Sequence, residues 1–145
     1  MEAFGPHSDW VGVAFDSNND DRTGYWFAVN PAGSRMDVYI SGEGMEAFDS
    51  TWDVVWEFKT VLHDQGWSVE MKIPMSVFQF DANTNEDWGI GFARHIHRLQ
   101  EEVQWPGKGP NLGQWFCTLL WSIKGNGQYT FAKKGGNISV CFKRK

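Results

Sequence analysis

His95 and His97 flank Ile96 in an alternating segment. On a β-strand such a pair projects from one face. Two imidazoles side by side are a start to a Zn or Fe site. A third ligand would have to come from His63, Glu101 or Asp64. Such a centre would suit a small β-sandwich metal-dependent hydrolase or a cupin-like enzyme. The plainer reading, two histidines on a polar sheet face, is preferred because nothing else in the spacing supports a metal. A second candidate is the loop Asp16-Ser17-Asn18-Asn19-Asp20-Asp21. Oxygen ligands packed this closely can hold Ca²⁺, with Asp16, Asn18, Asp20 and Asp21 as the ligands. The loop lacks the EF-hand spacing, and its other reading is a hairpin whose Asx side chains bond their own backbone. Hydrolytic chemistry on a glycoside would need two facing carboxylates. Glu57 and Glu70 lie on strand-like segments, and nothing pairs them, so both are expected to face solvent.

A third group is suited to recognition. Arg94 and Arg98 have strand spacing, with Glu102 close by. Guanidinium and carboxylate groups make bidentate bonds to hydroxyls or carboxylates. Trp105 and Trp26 offer flat rings on which the C–H face of a sugar can stack. The expected carbohydrate-binding set is therefore Arg94, Arg98, Glu102, Trp105 and Trp26. Its alternative is a structural Arg–Glu network along one strand.

Composition narrows the partner. The chain has 145 residues, enough for one domain with a sizeable core, and nine tryptophans. A formal net charge of −5 without a Lys/Arg stripe argues against nucleic acid. No run approaches the roughly 20 apolar residues of a membrane helix, so no transmembrane segment is expected. Met1 to Pro6 has neither the basic nor the apolar part of a secretion signal. Cys117 and Cys141 are too few for a disulfide framework and read as two buried thiols, with one cross-strand bridge as the alternative.

The elements that must position these residues show period-two alternation. Strands are expected over Trp10–Asp16, Tyr25–Asn30, Met36–Ile40, Val54–Leu62, Trp67–Ile73 and Trp88–Arg98. Later ones are expected over Gly113–Ile123, Gln128–Phe131 and Ile138–Phe142. Ser17–Gly24 reads as a hairpin loop, and Asn30-Pro31-Ala32-Gly33 as a tight turn. Only Pro74–Phe80 suits a short helical turn, with Pro at its first position. Many short strands at this spacing predict an all-β chain, an antiparallel β-sandwich or jelly roll in one domain over 1–145. Phe15, Phe27, Val29, Trp67, Val69, Met71, Trp88, Ile90 and Phe92 are its expected core. Trp10 and Trp26 fall on the opposite face of their strands. One hairpin joins those strands, so both rings should emerge on the same side.

Several of these segments, taken in order, resemble carbohydrate-binding module family 9-like domains. They are Asp9-Trp10-Val11-Gly12-Val13-Ala14-Phe15-Asp16, Asp20 to Gly33 with Asp37, Trp52 to Glu57, Gly66 to Pro74 and Trp88 to Arg94. The version most similar stands at the amino end of large bacterial surface proteins with a carboxy-terminal β-barrel. There the stretch with Arg94, Arg98, Glu102 and Trp105 has a counterpart. The resemblance covers about residues 8 to 110. It implies a β-sandwich that binds poly- or oligosaccharide without catalysis. It also implies frequent Ca²⁺, assistance to xylan- or glucan-type degradation, and an extracellular or cell-surface location. Family members lay down further strands before the Asp9 motif, and beyond Gly113 the similarity fades. Val11, Val13 and Phe15 would then need cover from the carboxy-terminal strands or from a second copy in a homodimer. A structural role, the sandwich packing against a barrel or partner, is the remaining rival.

Overall fold

The computed structural model describes residues 4, 7–18, 20, 22–42, 47–80, 88–105, 129–134 and 136–143. They form ten strands: β1 (Trp10–Asp16), β2 (Thr23–Val29), β3 (Arg35–Ser41), β4 (Phe48–Asp49), β5 (Glu57–His63), β6 (Gly66–Pro74), β7 (Gly89–Ile96), β8 (Glu101–Trp105), β9 (Tyr129–Lys134) and β10 (Asn137–Lys143). One sheet runs β4-β3-β2-β1-β7-β8 and the other β5-β6-β10-β9. All neighbouring pairs are antiparallel. The expected all-β antiparallel sandwich is therefore the observed fold class.

The core lies between the sheets because alternation gives each strand one apolar face. Val11, Val13 and Phe15 on β1 meet Val29, Phe27 and Tyr25 across the β1–β2 ladder. Trp67, Val69, Met71 and Ile73 from β6 complete the opposite wall. Of the expected core residues, Phe15, Phe27, Val29, Trp67, Val69, Met71 and Phe92 are buried. Trp88 and Ile90 are partly buried against the same cluster. β10 pairs with β6, Ile138 opposite Ile73 and Val140 opposite Met71, and buries both side chains. Ile138 and Val140 belong to the same buried cluster as Val11, Val13 and Phe15. The expected strand Gly113–Ile123 lies outside the described residues.

Three of the differences from the expected boundaries have an identifiable physical reason. The strand expected from Val54 begins at Glu57. The preceding link is held by side chains instead. Asp37 accepts the Val54 amide at 2.9 Å and the Trp56 indole N–H at 3.4 Å, and Arg35 donates to the Trp56 carbonyl at 3.0 Å. These bonds tie β3 of one sheet to the approach of β5 in the other. The helical turn is a single 3₁₀ turn over Met75–Val77. Pro74 is its extended cap rather than its first helical residue, with ψ at 137°. The strand expected through Arg98 ends at Ile96, and a 3₁₀ turn follows at His97–Leu99. Gln100 then takes a left-handed conformation at φ 50°. The chain reverses into β8, a strand absent from the sequence reading.

The outer face of the six-stranded sheet is also apolar. Val38, Ile40 and Ala47 are buried there, with Trp26 and Met36 packed against them. Trp10 and Trp26 emerge together as expected, edge to face with ring centres 5.9 Å apart. Trp26 lies directly over Gly12, where any Cβ would fall inside the indole. Gly12→Ala should therefore displace Trp26 at a cost of about 1–3 kcal/mol. A denaturation midpoint and tryptophan emission both equal to wild type would show that the ring is not seated on Gly12.

Candidate functional site

Antiparallel register decides which side chains meet on the β7–β8 hairpin. Phe92 faces Trp105, Arg94 faces Val103, and Ile96 faces Glu101. Arg94 also faces Val11 on β1, so it shares the core-side face of the sheet with Phe92. Trp105 stands diagonally next to Arg94 on that face, its ring centre 6.0 Å from that of Phe92. β8 ends the six-stranded sheet. Val103 (46%) and Trp105 (44%) are accordingly exposed. Arg94 is half-buried. Its Nε is shielded from solvent without a hydrogen-bond partner. A shielded donor left unpaired costs about 1–3 kcal/mol, more when charged.

The five residues expected to form one binding set are divided by this hairpin. Arg94 and Trp105 share a face. Glu102 stands opposite His95 on the reverse face, its carboxylate accepting Gln104 Nε2 at 2.6 Å. Trp26 is also on that reverse face. Arg98 lies in the 3₁₀ turn, exposed. The strand spacing expected to put Arg94 and Arg98 on one face is thus corrected: strand alternation stops at Ile96. The reversal is held by long-range and local bonds together. Asp9 Oδ1 accepts the His97 amide at 2.7 Å, and Gln100 Nε2 donates to the His97 carbonyl at 2.6 Å. Val103, missed from the sequence, joins the strip. Its only signal is parity with Trp105 once β8 is recognised.

The same reversal separates the histidines, which were expected to project from one strand face. His95 is buried and stacks on Trp10 at 6.1 Å, the planes 18° apart. His97 sits in the turn, its Nδ1 3.0 Å from Gln100 Nε2 and its ring 6.5 Å from that of His7. Among the described residues no three His, Cys, Asp or Glu side chains gather at one point.

In the loop after β1 the carboxylates serve the backbone. Asp16 Oδ1 accepts the amides of Asn18 and Asp20 at 3.2 and 3.3 Å. Asp20 Oδ1 accepts those of Arg22 and Thr23 at 2.8 and 2.7 Å, and its Oδ2 takes the Thr23 hydroxyl. Asn18 donates to that hydroxyl at 3.1 Å. Partial burial pushes the Asp20 carboxyl up, but the bonds from Thr23 and Arg22 outweigh it and hold it below the ordinary range. Asp21 lies outside the described residues. This is the Asx-type hairpin of the sequence reading.

Glu57 and Glu70 are exposed on the second sheet, each opposite a lysine. Glu57 pairs with Lys72 at 3.3 Å, and Glu70 faces Lys59. They present no facing carboxylate pair. Cys141 is a free, half-buried thiol on β10, and Cys117 lies outside the described residues.

Fold and site together define an antiparallel β-sandwich with a cationic, aromatic strip on its outermost β7–β8 hairpin. Comparison with known proteins places no family name on it: no family model, no curated protein and no solved structure matches the chain. No helix among the described residues is long and apolar enough to cross a membrane.

Proposed function

We propose that the chain is a non-catalytic carbohydrate-binding module of the family 9-like kind, receiving a glycan on the Arg94–Val103–Trp105 strip. One observation carries this reading: a guanidinium with no hydrogen-bond or ion-pair partner among the described residues stands diagonally across the strand pair from an exposed indole. The ring offers a stacking surface for sugar C–H groups, and the guanidinium offers donors for oxygen. Assistance to xylan- or glucan-type degradation at the cell surface or outside it belongs to the same proposal. So does Ca²⁺ at the Asp16–Asp21 loop, where it would join carboxylates already bonded to the backbone.

The test is binding of xylan and cellulose oligosaccharides to the wild type, Arg94→Ala and Trp105→Ala. Loss of a charge-assisted bond should weaken affinity about tenfold or more. Unchanged affinity in both variants would remove the strip from the account. Failure of every glycan to bind would leave a structural packing role instead. Coincident thermal melts with and without EDTA would remove Ca²⁺.

A further inference from the structure

Resting on the binding reading above, we infer that the glycan is acidic: the strip takes a uronic-acid residue whose carboxylate pairs with Arg94 while its ring lies on Trp105 and Val103. The planar fork of a guanidinium matches a carboxylate in two parallel bonds. Arg35 shows how this chain otherwise treats a strand arginine. It donates to the Trp56 carbonyl, lies 5.8 Å from the Trp56 ring centre and approaches Asp53 at 3.8 Å. Among the described residues Arg94 has none of this, and its Nε is shielded without a hydrogen-bond partner. The carboxylate next to Val103 in sequence does not serve it. Glu102 is on the reverse face, bonded to Gln104. Glu101, opposite Ile96, shares Arg94's face yet makes no salt bridge with it.

A neutral hydroxyl would satisfy the hydrogen-bonding need of Arg94 but leave its charge without a counter-charge. A small free carboxylate would pair the charge but leave the exposed Val103 and Trp105 uncovered. A uronic acid within an oligosaccharide meets both requirements. Glucuronic and galacturonic acids share this chemistry, and the experiment separates them.

Calorimetric titration would use glucuronic-acid-substituted xylo-oligosaccharide, oligogalacturonate, the carboxyl-reduced form of each, and unsubstituted xylo-oligosaccharide. At least one acidic ligand is expected to bind at least tenfold more tightly than its reduced form. Arg94→Gln, checked by an unchanged cooperative melt, should close that gap. Arg94→Lys, which keeps the charge without the fork, should close it partly. Trp105→Ala should weaken acidic and neutral ligands alike. Equal binding of acidic and reduced forms would overturn the acidic preference while leaving carbohydrate binding intact. Absence of binding by all ligands would overturn both.

Discussion

Phe27→Ala should lower the unfolding free energy by about 3–5 kcal/mol, the cost of removing a buried aromatic ring and leaving a cavity. Phe27 is fully buried, at 0% exposure, on β2. Its ring centre lies 5.3 Å from Trp56, 5.9 Å from Trp52, 6.0 Å from Phe78 and 6.2 Å from Phe15. Phe15 comes from the neighbouring strand of the same sheet and the other three from the links between strands, and large rigid rings cannot collapse inward to fill the space. Urea unfolding of the variant against wild type measures the loss. A difference below about 1 kcal/mol would mean that the ring is not central to the core.

Asp37→Ala should cost about 2–4 kcal/mol, because it strands two donors at once. The Asp37 side chain is nearly buried on β3, within the inner face of the six-stranded sheet. It holds the Val54 amide and the Trp56 indole N–H. Those donors belong to the link that leads into β5, so the loss should also loosen the Trp56 ring against Phe27. Asp37→Asn retains one acceptor oxygen but turns an amide N–H₂ toward the other donor, and should fall between wild type and Ala. Denaturant unfolding, with near-ultraviolet circular dichroism to follow the tryptophans, reads both effects. Wild-type stability in Asp37→Ala would show that water satisfies these donors equally well.

Much of this architecture was legible in the chain itself. Alternation around Phe15, Phe27, Val69 and Met71 assigned strands and faces, because side chains on a pleated strand alternate strictly. Hairpin logic placed Trp10 and Trp26 on one side of the sheet, and their rings touch there. The Asn30–Gly33 turn has its cause in the residues: Gly33 adopts φ 86°, and Asn30 Oδ1 accepts the Ser34 amide at 2.8 Å. Asp16 at the end of β1 and Asp20 beyond it cap their own loop, as short polar side chains do.

The candidate site was legible only in part. Arg94 and Trp105 were visible as residue types, but their relation depends on a reversal at Gln100 that no Gly, Pro or Asn announces. That turn draws on Asp9, 88 positions earlier in the chain, and a contact at that range is invisible to local pattern. The link before β5 is similar, since Asp37 and Arg35 hold it from another strand.

The sequence by itself determined the period-two faces, the apolar core and the polar turns, because these depend on residue type and local backbone geometry. The tertiary structure alone decided that no carboxylate among the described residues pairs with Arg94. In the observed register Arg94 faces Val103 while Glu102 faces His95 on the other side. A slip of one residue between β7 and β8 would bring Glu102 to Arg94's face and turn Val103 away, since side chains alternate strictly across the sheet. The guanidinium would then have a partner within the chain, and the strip would lose the unpaired charge on which its recognition of a ligand rests.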